Sequence, residues 1–111
     1  MHRWQADQAI QMLQPQPAQR ILDIATGTGL APRACARITH APQQIMGIDV
    51  SHGMLQAAAA VSRSSYLQAD AAQLPFRPAT FDALLCVAAI PYLPDLAKAA
   101  VALPPGPAVD R

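Results

Sequence analysis

Gly27, Gly29 and three aspartates are the residues of this chain whose types and spacing suit the holding of a small polar ligand. The glycines close the run Ile21-Leu-Asp-Ile-Ala-Thr-Gly-Thr-Gly29, an apolar stretch broken by Asp23 that turns sharply before an apolar-periodic segment. Lacking a Cβ, such positions let backbone N–H groups approach a ligand, and the first N–H groups of the next helix can meet an anionic group such as a carboxylate. Asp49 and Asp70 each end a further strand-like run. Asp49 lies 20 residues after Gly29, where a carboxylate can accept hydrogen bonds from a ribose diol, and Asp70 is placed to accept from an exocyclic amine. A glycine turn with acidic strand ends marks a nucleotide-type cofactor site.

For these residues to meet, they must sit at the tips of neighbouring strands. Ala6, Ala9, Ile10 and Leu13 recur at helical spacing, and Pro15-Gln-Pro17 stops that helix. A first strand is predicted over 20–25. After the glycine turn, Ala31, Ala34, Cys35 and Ile38 repeat the helical spacing, with Pro32 in the first turn where its missing N–H costs nothing. Residues 45–50 read as a second strand, and Ser51 as the N-cap of a helix whose Met54, Ala57, Ala58 and Val61 share a face. A third strand is predicted over 65–69, followed by a loop over 71–80 that contains Pro75 and Pro78. The run 83–89 is apolar without alternation and fits a strand covered on both faces. A last helix carries Leu93, Leu96, Ala97 and Ala100 on one face and ends at Leu103-Pro-Pro-Gly-Pro107.

Strands alternating with helices predict an α/β fold: a doubly wound parallel sheet of about four strands with helices on both faces. Ligands in such sheets bind beyond the carboxyl ends of the strands, where every glycine and aspartate singled out above is expected. No repeat, linker or low-complexity block interrupts residues 1–111, which read as a single domain. An apolar fourth strand with nothing after it to pair leaves a bare sheet edge. Either another chain covers that edge, by self-association for instance, or the chain is the N-terminal part of a larger domain.

Composition narrows the partners. The 111 residues are 52% hydrophobic and 14% charged, but 24 are alanines, which give tight helix-on-sheet contacts instead of greasy ones. A formal net charge of +1, from eight basic and seven acidic residues spread along the chain, leaves no footprint for nucleic acid or an anionic membrane. A small neutral or zwitterionic ligand is expected. Cys35 and Cys86 stand far apart and suggest reduced thiols, not a disulfide or a metal pair, while His2, His40 and His52 share no ligand spacing. The start, Met-His-Arg-Trp-Gln, lacks the apolar core of a secretory signal, so a soluble cytoplasmic protein without metal is expected.

The motifs resemble those of class I S-adenosylmethionine-dependent methyltransferases, in particular the small-molecule type 11 domains that include quinone-biosynthesis C-methyltransferases. Leu22-Asp-Ile-Ala-Thr-Gly-Thr-Gly29 is similar to their first motif, with Ala25 standing where a glycine is usual. Ile48-Asp-Val-Ser-His-Gly-Met-Leu55 resembles the acidic motif of the second strand, and Gln68-Ala-Asp-Ala-Ala-Gln-Leu-Pro-Phe76 the adenine-side motif. Phe81-Asp82 before an apolar strand and Leu103-Pro-Pro-Gly106 complete the order, so the resemblance covers about 20–106.

That resemblance implies S-adenosylmethionine as cofactor and a small-molecule substrate. It places Gly27 and Gly29 near the methionine moiety, Asp49 on the ribose hydroxyls, Met54 or Leu55 on the adenine ring and Asp70 on the adenine amine, with Ala25, Val50 and Ala71 as further cofactor contacts. Asp23 would order the loop and reach the cofactor's amino group through water. Tyr92 falls where such proteins often meet their substrate. Family members carry seven strands, so a chain that ends after about four is expected to be truncated, with weakened binding or lost turnover. The competing expectation is a non-catalytic binding or pairing module.

Methyl transfer from a sulfonium is an in-line displacement with an already activated leaving group, so alignment and water exclusion do most of the work. No residue is singled out as catalytic. Among other readings, a nicotinamide site would need a third glycine where Pro32 stands. As a lesser alternative Asp70 could form a turn beside Ala71, while Asp82 starts a strand and reads as structural, and Cys86 reads as a small core residue.

Overall fold

The computed structural model describes residues 3–16, 18–40 and 44–87. Along the chain run α1 (Arg3–Leu13), β1 (Ile21–Ile24), α2 (Leu30–Thr39), β2 (Ile45–Asp49), α3 (His52–Val61), β3 (Ser65–Gln68), a 3-10 turn (Ala71–Gln73) and β4 (Ala83–Leu85). All four strands are parallel, in the order β3-β2-β1-β4. The α/β parallel sheet expected from the alternation of elements is therefore present, with β1 and its glycine turn in the middle.

Burial of β1 on both sides explains its unbroken apolar character: Ile21, Leu22, Asp23 and Ile24 are all buried. Ile21 packs with Ala6, Ile10, Ala34, Cys35 and Ile45 under α1 and α2. Leu22 and Ile24 face the other way, with Ile48, Ala71 and Phe81. Each of the fully buried isoleucines Ile10, Ile21 and Ile45 contributes about 1.5–3 kcal/mol by leaving water. The alanines Ala6 and Ala34 fill the gap between helix and sheet, as their number suggested. On the second face it is the segment after β3, with its 3-10 turn, that covers the sheet; Phe76 and Phe81 meet there edge to face, 4.9 Å apart.

Local differences from the sequence reading have physical causes. In α3 the buried residues are Leu55 and Ala58, while Met54 and Val61 stay 46% and 60% exposed. Ala58 faces Gly29 there, since a Cβ built on that glycine would come within 3.0 Å of the Ala58 Cβ. Within the expected loop 71–80, Asp70 caps the 3-10 turn by accepting the Ala72 N–H at 2.9 Å. The fourth strand is shorter and less buried than its apolar run implied: Ala83, Leu84 and Leu85 form it, all half-buried, and Cys86 and Val87 follow outside it. The remainder of that run, the helix expected around 93–100 and Tyr92 lie outside the described residues. Ser51 caps α3 as anticipated, its Oγ accepting the Met54 N–H at 3.3 Å.

Candidate functional site

Where β1, β2 and β3 end, their tips meet at two adjoining hollows that share Ala25. One, of about 60 Å³, is lined by Ala25, Asp49, Val50, Asp70 and Ala71 over a floor of Ile24 and Ile48. The other, of about 170 Å³, is lined by Ala25, Gly27, Leu30 and Met54, with Thr26 and Thr28. Of the nine residues singled out as cofactor contacts, seven line these hollows. Asp23 and Gly29 do not.

Asp49 organises this rim. Its Oδ2 accepts the Gly27 N–H and its Oδ1 the Ser51 N–H, each at 2.9 Å, while its carbonyl takes the Ala69 N–H at 3.1 Å. One residue thereby ties the glycine turn, the start of α3 and the end of β3 together, and it lines the first hollow. Gly27 has φ +56, and a Cβ built on it would meet nothing within 4 Å. Open space over a left-handed glycine is what close approach of a ligand to the backbone requires. Asp70 has the turn role weighed for it, accepting the Ala72 N–H through Oδ1, and it also lines the first hollow.

Asp23 lies beneath the turn, 3% exposed, with the Thr26 hydroxyl donating to its Oδ2 at 2.7 Å. Burial lifts its carboxyl to about 7; the Thr26 hydrogen bond opposes this, and the charge of Asp49 adds to it. Its part is therefore in the foundation of the turn. Ala25, at the position where a glycine was expected, has φ +57, so the turn demands the left-handed region from a residue with a Cβ.

Gly29 faces inward. At φ +80, a Cβ there would come within 2.7 Å of the Tyr66 hydroxyl and 3.0 Å of the Ala58 Cβ. Its smallness lets α2 and α3 close over β3. Three residues not singled out from sequence complete this layer: Thr26, Gly47 and Tyr66. Gly47 sits between Asp23 and Tyr66 in the sheet register, and a Cβ on it would strike the Thr26 side chain at 2.5 Å. A glycine inside a strand signals a close approach, so Gly47 was legible in principle. Nothing in the local sequence pointed to Tyr66.

Asp82 has the structural role expected of it: its Oδ2 accepts the Arg20 N–H at 2.7 Å at the start of β4. Among the described residues no group of His, Cys, Asp or Glu could hold a metal, neither cysteine is in a disulfide, and no helix is long and apolar enough to cross a membrane.

Comparison with known proteins agrees with this geometry. A methyltransferase-domain family model matches residues 22–103. A demethylmenaquinone methyltransferase of Porphyromonas gingivalis is 35% identical over 92 residues, covering 76% of this chain and 37% of that protein. A protein of the same name from Bacteroides fragilis is 34% identical over 98 residues, covering 81% and 39%. The chain thus spans well under half the length of these relatives. The crystal structure of a methyltransferase-like protein from Bacillus halodurans superposes with a TM-score of 0.71 at 24% identity, over 88% of this chain and 46% of that one, which shows a shared fold. With the parallel sheet and the motif order, these matches show that the chain belongs to the class I S-adenosylmethionine-dependent methyltransferase domain family.

Proposed function

We propose that residues 1–111 act as one S-adenosylmethionine-binding unit serving methyl transfer to a small molecule. The observation that carries this reading is the convergence of Gly27, Asp49 and Asp70 on adjoining hollows at the strand tips. The residues present fit the cofactor. Gly27 leaves open space for the methionine end, Asp49 keeps lone pairs for the ribose hydroxyls, and Asp70 with Ala71 borders the hollow suited to adenine. Val50 and Met54, 66% and 46% exposed, offer apolar surface to the base.

Bound there, the cofactor supplies a methyl group on a positively charged sulfur, ready for displacement. The chain's own residues then bind and orient it, and no residue is assigned as acid or base. Names carried by the relatives favour a quinone-type ring as the acceptor, since two are called demethylmenaquinone methyltransferases. A reducing, cytoplasmic setting belongs to the same reading, in keeping with Cys35 and Cys86 standing outside any disulfide.

Calorimetric titration of the chain with S-adenosylmethionine tests the proposal. A saturable signal is expected, weakened at least about tenfold in Asp49→Ala by the loss of a charged acceptor. A sample that is folded by circular dichroism yet gives no signal would overturn it.

A further inference from the structure

Away from the strand tips, a groove of about 370 Å³ lies between α2 and the C-terminal end of α3, lined by Arg33, Ala36, Arg37, Val61, Ser62 and Arg63. It shares no residue with the two hollows. Three arginines thus converge on one cavity in a chain whose formal net charge is only +1. Their pairing is unequal. Arg37 gives both terminal nitrogens to Asp7 of α1, at 2.7 and 3.2 Å. Arg33 makes a hydrogen bond from Nε to the Gly29 carbonyl at 3.3 Å, and among the described residues Arg63 has no side-chain partner and neither arginine faces a carboxylate.

Like charges gathered around a cavity repel, and an anion relieves that repulsion. Ala36 and the 60% exposed Val61 supply apolar wall beside the arginines. The volume falls within the range of small-ligand sites, roughly 300–1,000 Å³.

We propose that this groove binds a phosphate dianion, carried by a soluble phosphate ester or by a phospholipid headgroup. A guanidinium presents a planar fork of N–H donors that matches two phosphate oxygens, and Arg33 of α2 and Arg63 just beyond α3 bring two such forks. Arg37, held by Asp7, adds field without being free to close. The inference stands on the groove alone and is independent of cofactor binding.

Titration of the whole chain with inorganic pyrophosphate at physiological ionic strength tests it, alongside co-sedimentation with phosphatidylcholine vesicles with and without phosphatidic acid. The expected result is saturable pyrophosphate binding, or sedimentation that needs phosphatidic acid, weakened about tenfold by Arg63→Gln and further by Arg33→Gln. Arg77→Gln, at an exposed arginine outside the groove, should leave it unchanged. Arg63→Gln breaks no contact seen in the fold, so its effect reads on the ligand. Binding to pyrophosphate without sedimentation assigns a soluble phosphate; sedimentation lost in Arg63→Gln assigns a lipid headgroup. No binding in either arm, binding indifferent to both groove variants, or an equal loss in Arg77→Gln would overturn the proposal.

Discussion

The N–H of Gly27 donates to Oδ2 of Asp49 at 2.9 Å, joining the turn after β1 to the tip of β2 across 22 residues of chain. The other oxygen of the same carboxylate holds the Ser51 N–H at the start of α3. Loop order and ligand contact therefore depend on one side chain, which couples the fold to the site.

Asp49→Ala removes both acceptors, and charge-assisted hydrogen bonds of this kind contribute about 1.5–3 kcal/mol each before allowance for partial exposure. The variant should lose about 2 kcal/mol of stability together with its S-adenosylmethionine affinity. Asp49→Asn keeps one good acceptor and should fall between the two. Urea unfolding and calorimetric titration of the three proteins check the order; equal affinities would show that Asp49 serves the turn alone.

Ala25 tests whether the departure from glycine costs anything. A left-handed conformation costs a residue with a Cβ roughly 1–2 kcal/mol, while glycine adds unfolded-chain entropy of about 0.5–1 kcal/mol. Ala25→Gly should therefore gain up to about 1 kcal/mol and raise the melting temperature by a few degrees. Its methyl packs against the Leu22 and Ile24 cluster, so a lower melting temperature would show that this contact outweighs the strain.

The contrast between these residues shows what a sequence can disclose. Gly27, Asp49 and Asp70 were legible because their positions at the ends of apolar runs fix them to strand tips. Period and punctuation carry that information locally. Tyr66 and the inward face of Gly29 were not legible, since they depend on which side of β3 meets α2 and α3. The inner face of α3 is only partly legible: Ala58 is buried as expected and meets Gly29 across 29 residues of chain, but Leu55 is buried beside it where Met54 and Val61 were expected. Gly47 lies between these cases, visible as an odd residue in a strand but explained only by the Thr26 side chain above it.

Gly29→Ala should be severe, because the new Cβ meets the Tyr66 hydroxyl at 2.7 Å and the backbone stays at φ +80. A loss of about 2–4 kcal/mol is expected from overpacking and left-handed strain combined. Tyr66→Phe alone should cost at most about 1 kcal/mol, the worth of the hydrogen bonding that Ser62 and Ser64 offer its hydroxyl. In Gly29→Ala/Tyr66→Phe the oxygen is gone and the nearest ring carbon lies 3.4 Å away, so part of the loss should return. A double-mutant cycle by thermal unfolding reads that coupling, and strict additivity would place the cost in the backbone or at Ala58.

Asp23 sets the sign of the pH response. Burial raises its carboxyl to about 7 in the fold, against roughly 3.9 in an unfolded chain. Between those values the folded state holds a proton that the unfolded state has released, so stability falls as pH rises through this window. At about 1.4 kcal/mol per unit, the loss amounts to a few kcal/mol, fully present above pH 7 and absent below pH 4. Asp23→Asn keeps an oxygen for the Thr26 hydroxyl and cannot ionise. Denaturant unfolding at pH 5 and pH 8 should show wild type losing stability on the way up and the variant holding nearly level, with the variant the more stable protein at pH 8. A difference between the two proteins that does not change with pH would mean that Asp23 is ionised throughout, and that Thr26 and the turn amides compensate its burial.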